Sequence, residues 1–126
     1  MGLGPAKGKD FATSLGPWLV TPDELEDKCI ERGDRGCVYD LSMTARLNGR
    51  EVSHGNWKDI HYTFGQMIER ASADVWLRPG DVIGSGTVGT GCLLELTQGQ
   101  GPWLNPGDAV ELEVERLGVL RNRVVE

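Results

Sequence analysis

The sequence predicts an α+β fold that is mostly β, a sheet roll or sandwich with one or two short helices. Three observations carry this. Turn signals at Asn48-Gly49, Asn105-Pro106-Gly107 and Leu117-Gly118 divide short runs that alternate apolar and polar residues. One segment only, Thr63 to Ala73, carries apolar residues at helical spacing: Phe64, Met67, Ile68 and Ala71. Eighteen glycines are scattered through 126 residues without a period, which suits many tight turns between short elements. Tandem hairpins favour this arrangement over a parallel αβ sheet.

Taken in order, the chain up to about Gly16 is rich in Gly and Lys and predicts no regular element. Thr21-Pro22-Asp23-Glu24 opens a short helix: a capping hydroxyl, Pro at the first helical position, then acids at the positive end of the dipole. Gly33 and Gly36 limit it. Val38 to Leu47 reads as a strand, Asn48-Gly49 as its hairpin turn, and Arg50 to Ser53 as the start of the return. Asp59 is the expected N-cap of the helix that follows. Val82-Ile83 reads as a short buried strand after the Pro79-Gly80 turn, and Cys92 to Leu96 as another. Ala109 to Glu115 alternates apolar and acidic residues, a strand with one buried and one wet face. Val119 to Val125 returns as the last strand.

At 126 residues the chain is long enough for one domain or a part of one, and 39% apolar residues allow a modest core. The net charge of -6 argues against nucleic acid and anionic membranes as partners. No run is long enough to span a bilayer, and the N-terminus lacks the apolar stretch of a signal peptide. Met1-Gly2 fails as a myristoylation motif because Ala6 stands where Ser or Thr is needed. Cys29, Cys37 and Cys92 are irregularly spaced, which favours reduced thiols and a cytoplasmic location. Cys29, Cys37, His54 and His61 lack the paired spacing of a zinc site.

The segment from Gly84 to Gly91, Gly-Ser-Gly-Thr-Val-Gly-Thr-Gly, is the most informative for function. Glycines this dense let the backbone approach a ligand and offer the Thr87 hydroxyl to it. Loops of this kind more often simply turn a corner. No Lys follows to make a Walker loop, and the short Leu-rich segment after Gly91 reads as a strand where a dinucleotide site needs a helix.

Five segments, in order, resemble the fumarylacetoacetate hydrolase family. They are Lys7 to Trp18, Thr21 to Leu25, Leu47 to Arg50, Leu77 to Thr87 and Leu117 to Val124. The resemblance covers nearly all of residues 1–126 and implies the C-terminal portion of that family's catalytic domain. It implies a divalent-metal-dependent hydrolase that cleaves a carbon–carbon bond in a β-diketo acid, with Mg2+ as cofactor and Ca2+ or Mn2+ as alternatives. Lys9 and Thr13 resemble the family's Lys and Thr at the metal site. Lys9 would serve as a charge-balancing or electrophilic group, since a protonated amine has no lone pair for a metal. Ala12 replaces a family Gly. Thr87 resembles the substrate-binding Thr, and Glu95 the carboxylate of a His–Glu pair that activates water. The family's upstream Glu-x-Glu pair, its later Asp and its catalytic His have no counterpart here.

The simpler readings of single residues stand beside these. Trp18, Trp57, Trp76 and Trp103 suit a core or an interface. Asn56, Asp59 and His61 suit surface positions better than a pocket rim. Glu111, Glu113 and Glu115 suit a wet strand face, where side chains diverge instead of converging on a metal. Three functions follow: a hydrolase of an oxo acid; a decarboxylase, isomerase or hydratase of a related acid; or a non-catalytic interaction module. The expected partners are a small oxo acid, and either a second copy or the polypeptide carrying the missing carboxylates.

Overall fold

A computed structural model describes residues 12–33 and 36–126. Among the described residues six strands form two antiparallel sheets. The smaller pairs β1 (Cys29–Gly33) with β2 (Gly36–Tyr39). The larger has β3 (Ser42–Leu47), β4 (Arg50–Asn56), β5 (Ala109–Val114) and β6 (Gly118–Arg123), in the order β4-β3-β5-β6. The mostly-β prediction is met.

The hairpin at Asn48-Gly49 forms as the dipeptide requires, with φ of 52° and 79° at its two residues. Asn48 also ties this hairpin to β5. Its side-chain oxygen accepts the Ala109 N–H at 2.9 Å, and its amide donates to Asp108 at 2.8 Å. Helix α1 (Phe64–Ala71) starts at a capping box: Thr63 Oγ1 accepts the Gln66 N–H, and Gln66 Oε1 accepts the Thr63 N–H. Thr63, not Asp59, is therefore the N-cap. Asp59 closes a short 3-10 turn, Trp57–Asp59.

Four further expectations are corrected. The helix opened by Thr21 is a 3-10 helix, Pro22–Lys28, and gives way to a strand at Cys29 before reaching Gly33. The strand expected over Val38 to Leu47 is two strands. The Asp40 N–H turns aside to the Lys28 carbonyl and Leu41 accepts from Trp57, so β2 and β3 join different sheets. Val82-Ile83 forms no strand; Asp81 closes a local turn with Arg78, and Val82 is 70% exposed with no strand beside it. Cys92 to Leu96 is not a strand either. The Glu95 carboxylate takes the Cys92 N–H, and the Leu93–Leu96 segment closes into one helical turn, α2.

Cys29 and Cys37 are joined in a disulfide, where the sequence favoured reduced thiols. The β1–β2 hairpin brings their Cα atoms to 5.8 Å, although they are 8 residues apart. Cys92 is free and exposed. This pairing removes the thiol argument for a cytoplasmic location. No described helix is long and apolar enough to cross a membrane.

The two faces of the large sheet differ in chemistry. On one, the acidic row of β5 is ion-paired: Glu111 with Arg121, Glu113 with Arg46, and Glu115 with Lys28. On the other, strand register sets Met43 beside Val114, Ala45 beside Leu112, and Leu112 beside Leu120. Much of this apolar face is open, and Leu112 is 48% exposed. Among the described residues only Leu25, Leu41 and Ala109 are buried.

Candidate functional site

The apolar face forms the floor of a cavity of about 570 Å3. Met43 of β3 and its β5 neighbour Val114 make that floor. One wall is aromatic and thioether: Trp57, Ile60, Tyr62, Phe64 and Met67. It is built in steps from the local sequence. The chain leaves β4 through the turn Trp57–Asp59 and enters α1 at Phe64. The Trp57 ring then meets Phe64 edge-on at 5.4 Å and Tyr39 of β2 at 5.3 Å.

The glycine-rich loop, from Ser85 to Gly89 with Thr87 at its middle, also lines the cavity. Gly86 has φ 87°, the left-handed geometry that a side chain resists. Two close approaches fix the loop to β4. Val88 lies against Gly55, and Gly91 against the Ser53 side chain. The glycines thus bring a loop backbone onto a sheet, one of the roles that their density suggests.

Polar groups on the cavity are few. They include the Thr87 and Ser85 hydroxyls, the His61 ring, the Asp59 carboxylate and the Asn56 amide. Asn56 is already engaged on both sides. Its Nδ2 donates to Asp40 at 2.7 Å, and its Oδ1 accepts the Lys58 N–H at 2.9 Å. The Asn56 amide, followed by Lys58, holds the Asp40 carboxyl below its ordinary pKa. His61 stacks edge-on against Tyr62 at 4.5 Å.

The sequence-predicted residues are placed as follows. Thr87 is on the cavity wall. Glu95 is not among the lining residues; its carboxylate turns back to the Cys92 N–H at 3.2 Å. The Cys92 thiol, followed by that N–H, lowers its pKa. Thr13 is exposed and also lies off the wall. Its neighbour Ser14 accepts a hydrogen bond from Asn122 of β6, and Trp18 donates to the Leu117 carbonyl at 2.9 Å, so this segment runs beside the last strand. Lys9 lies outside the described residues. Asn56, Asp59 and His61, read from sequence as surface groups, line the cavity. Trp57, Tyr62, Met43 and Met67 had no signal beyond their apolar character.

Among the described residues no group of three His, Cys, Asp or Glu converges in a way that could hold a metal. Thr13 offers an oxygen without a carboxylate partner. The described donors therefore do not by themselves make a site for a hard divalent cation, which wants about six oxygens.

The chain was compared with known proteins. The profile of the fumarylacetoacetate (FAA) hydrolase C-terminal family matches residues 1–125. The chain belongs to that family. It is 37% identical over 123 residues to 2,4-didehydro-3-deoxy-L-rhamnonate hydrolase of Sphingomonas sp. (strain SKA58), covering 95% of this chain and 38% of the relative. It is 37% identical over 114 residues to maleylpyruvate hydrolase of Aquipseudomonas alcaligenes, covering 90% and 33%. Oxaloacetate tautomerase of Homo sapiens is 36% identical over 121 residues, covering 94% and 34%. The chain spans roughly a third of the length of these relatives.

Proposed function

We propose that residues 1–126 are the C-terminal portion of a hydrolase that cleaves a carbon–carbon bond in a β-diketo acid, such as an acylpyruvate or fumarylacetoacetate. One observation carries the reading: Thr87, on a glycine loop pinned to the sheet, lines a cavity of about 570 Å3 together with His61 and an aromatic wall. Relatives that are hydrolases of maleylpyruvate and of a didehydro-deoxy sugar acid support it.

In this reading the Thr87 hydroxyl donates to a carbonyl or carboxylate oxygen of the substrate. The loop glycines keep side chains out of the way of that approach. The aromatic wall excludes water from the bound acid. Glu95 would leave its cap at Cys92 to orient a water-activating His from outside the chain, and Lys9 would stabilise the departing carbanion. A divalent cation, Mg2+ by preference and Ca2+ or Mn2+ as alternatives, would supply carbonyl polarisation when bound. Its carboxylate ligands would come from beyond the described residues, with Thr13 at the edge. A cytoplasmic location and either a homo-oligomer or a complex with the polypeptide that brings those carboxylates belong to the same proposal.

A second reading is tautomerisation of a 2-oxo acid. The position of Glu95, turned onto Cys92 and off the cavity wall, favours proton transfer without an activated water. The relative that is an oxaloacetate tautomerase points the same way.

Turnover of a panel of acylpyruvates with Mg2+ or Mn2+ tests the proposal, using the chain alone and with a polypeptide carrying the Glu-x-Glu segment. The pair should cleave at least one acid, and Thr87→Ala should slow it about tenfold, the loss of one substrate hydrogen bond. Keto–enol exchange without cleavage would select the second reading. A pair inert in both assays would overturn the enzyme reading.

A further inference from the structure

We infer that the cavity beside Thr87 receives an uncharged, apolar arm of the substrate, aryl or branched alkyl, and discriminates against acids that carry a second carboxylate or several hydroxyls at that end. The inference rests on the oxo-acid reading and narrows it to a substrate class.

The described lining of the cavity offers no countercharge to an anion. Among the described residues, those that line the cavity include neither Lys nor Arg. The only charged side chain among them is Asp59, which would repel an anion. The nearest ammonium on the adjoining turn, Lys58, is paired with Asp40 at 3.2 Å. The Asn56 amide is spent on Asp40 and on the Lys58 backbone. That leaves His61, the Trp57 N–H and three hydroxyls, Tyr62, Ser85 and Thr87, to receive polar groups, all of them uncharged donors or acceptors. A carboxylate placed here would find no cation on the described lining and would lie on the same wall as the Asp59 carboxylate. A polyol would leave several hydroxyls facing rings and thioethers.

What the cavity does offer is aromatic and thioether surface. Trp57 and Phe64 supply faces and edges, and Met43 and Met67 supply polarizable, adaptable sulfur beside them. A flat conjugated arm, such as the aryl end of an enolised diketone, gains contact with these groups. Thr87 lines the same cavity, where it can hold an oxygen near the reacting end while the arm lies against Trp57. The acid head is then left to the mouth, toward groups outside this wall.

Three probes test this by calorimetric titration of the 126-residue chain: a phenyl-tailed acylpyruvate, an acylpyruvate of similar length ending in a carboxylate, and neutral phenylacetone. The phenyl-tailed acid should bind about tenfold or more tightly than the doubly charged acid. Tyr62→Lys, at a position 60% exposed and so tolerant of a long side chain, should reverse that order by supplying the missing cation. Binding of phenylacetone with neither acid bound would support the apolar pocket and sink the oxo-acid reading. Equal or tighter binding of the doubly charged acid by the unaltered chain, an unchanged order in Tyr62→Lys, or no binding of any probe would overturn the inference.

Discussion

Val88 is seated against Gly55: a methyl group on Gly55 would stand 2.7 Å from Val88 Cγ1. This contact joins the glycine loop to β4 one residue away from Thr87. Val88 is stiff at χ1, so it cannot swing aside as a long side chain would. Gly55→Ala should therefore push the loop off the strand and displace Thr87. We expect ligand affinity at the cavity to fall about tenfold or more, while the far-UV circular dichroism of the sheet stays unchanged. Affinity equal to that of the unaltered chain would show that the loop position does not depend on Gly55.

Glu95 separates a capping role from a catalytic one. As the third residue of α2 it caps the turn through Cys92, and Gln can make the same backward hydrogen bond. Glu95→Gln should keep the melting temperature within about 2 °C. In the assembled hydrolase it should lower turnover by about a hundredfold or more, as expected when a residue that supports general-base chemistry loses its charge. Full turnover in Glu95→Gln would confine Glu95 to capping and favour the tautomerase reading.

The fold was legible where a local signal and the tertiary outcome coincide. Asn48-Gly49 dictates its turn, and the alternation of Ala109 to Glu115 dictates β5, because both work over a few residues. The misses came where distant partners decide. Val82-Ile83 has strand-like composition but no neighbouring strand, and the ladder needs one. Leu93–Leu96 is apolar in either state; the Glu95 carboxylate on the Cys92 N–H tips it into a helix. At the site, Thr87 was legible because glycines flank it. Trp57 and Met67 were not, since an aromatic or Met at such spacing marks a core as readily as a cavity wall. The Cys29–Cys37 pair escaped because connectivity follows from the hairpin, not from spacing.

That pair carries a stability prediction. It closes a short loop across β1 and β2, and β2 packs against α1 near the cavity. Restricting a loop of this size in the unfolded chain corresponds to about 2–3 kcal/mol in the chain-entropy model. Unfolding in urea with and without a dithiol reductant should differ by about that amount. The double variant Cys29→Ser, Cys37→Ser should match the reduced chain and ignore the reductant. Identical curves for the unaltered chain in both buffers would mean that the pair does not constrain the hairpin.

The carboxylates set the acid limit of stability. Asp40, Glu95, Asp108 and Glu115 all have pKa values lowered in the fold. The causes are led by the Asn56 amide, the Cys92 thiol, the Asn105 N–H and the Lys28 ammonium respectively. A group with a depressed folded pKa stabilises fully above its unfolded value and loses that contribution as pH falls through the folded one. In that window the unfolded chain binds more protons, so unfolding free energy rises with pH. The urea midpoint should hold from pH 7 to about 5 and fall below about pH 4, the ordinary carboxylate range. Asp40→Asn should flatten part of that slope. A midpoint that rises on acidification would refute the assignment.

The open apolar face predicts association. Leu112 on that face is 48% exposed, and Trp76 and Val82, outside the strands, are 90% and 70% exposed, whereas only three apolar residues among those described are buried. Isolated exposed apolar residues are ordinary, but a contiguous set on a sheet marks a surface that another chain covers. Strand β6 is also the last of its sheet and offers unpaired backbone groups to a partner strand, partly shielded by Trp18 and Ser14. The net charge of -6 opposes approach of a second copy at low salt, and salt screens that repulsion over about 10 Å at 0.1 M. Sedimentation should therefore give a mass that grows with concentration and grows more at 0.3 M than at 0.02 M salt. A dye selective for apolar surface should bind the dilute chain and be displaced as it associates. Leu112→Glu, which sets a charge in the centre of the face, should weaken association about tenfold or more. A monomer at high micromolar concentration and high salt, with no dye bound, would establish that the face is closed in solution.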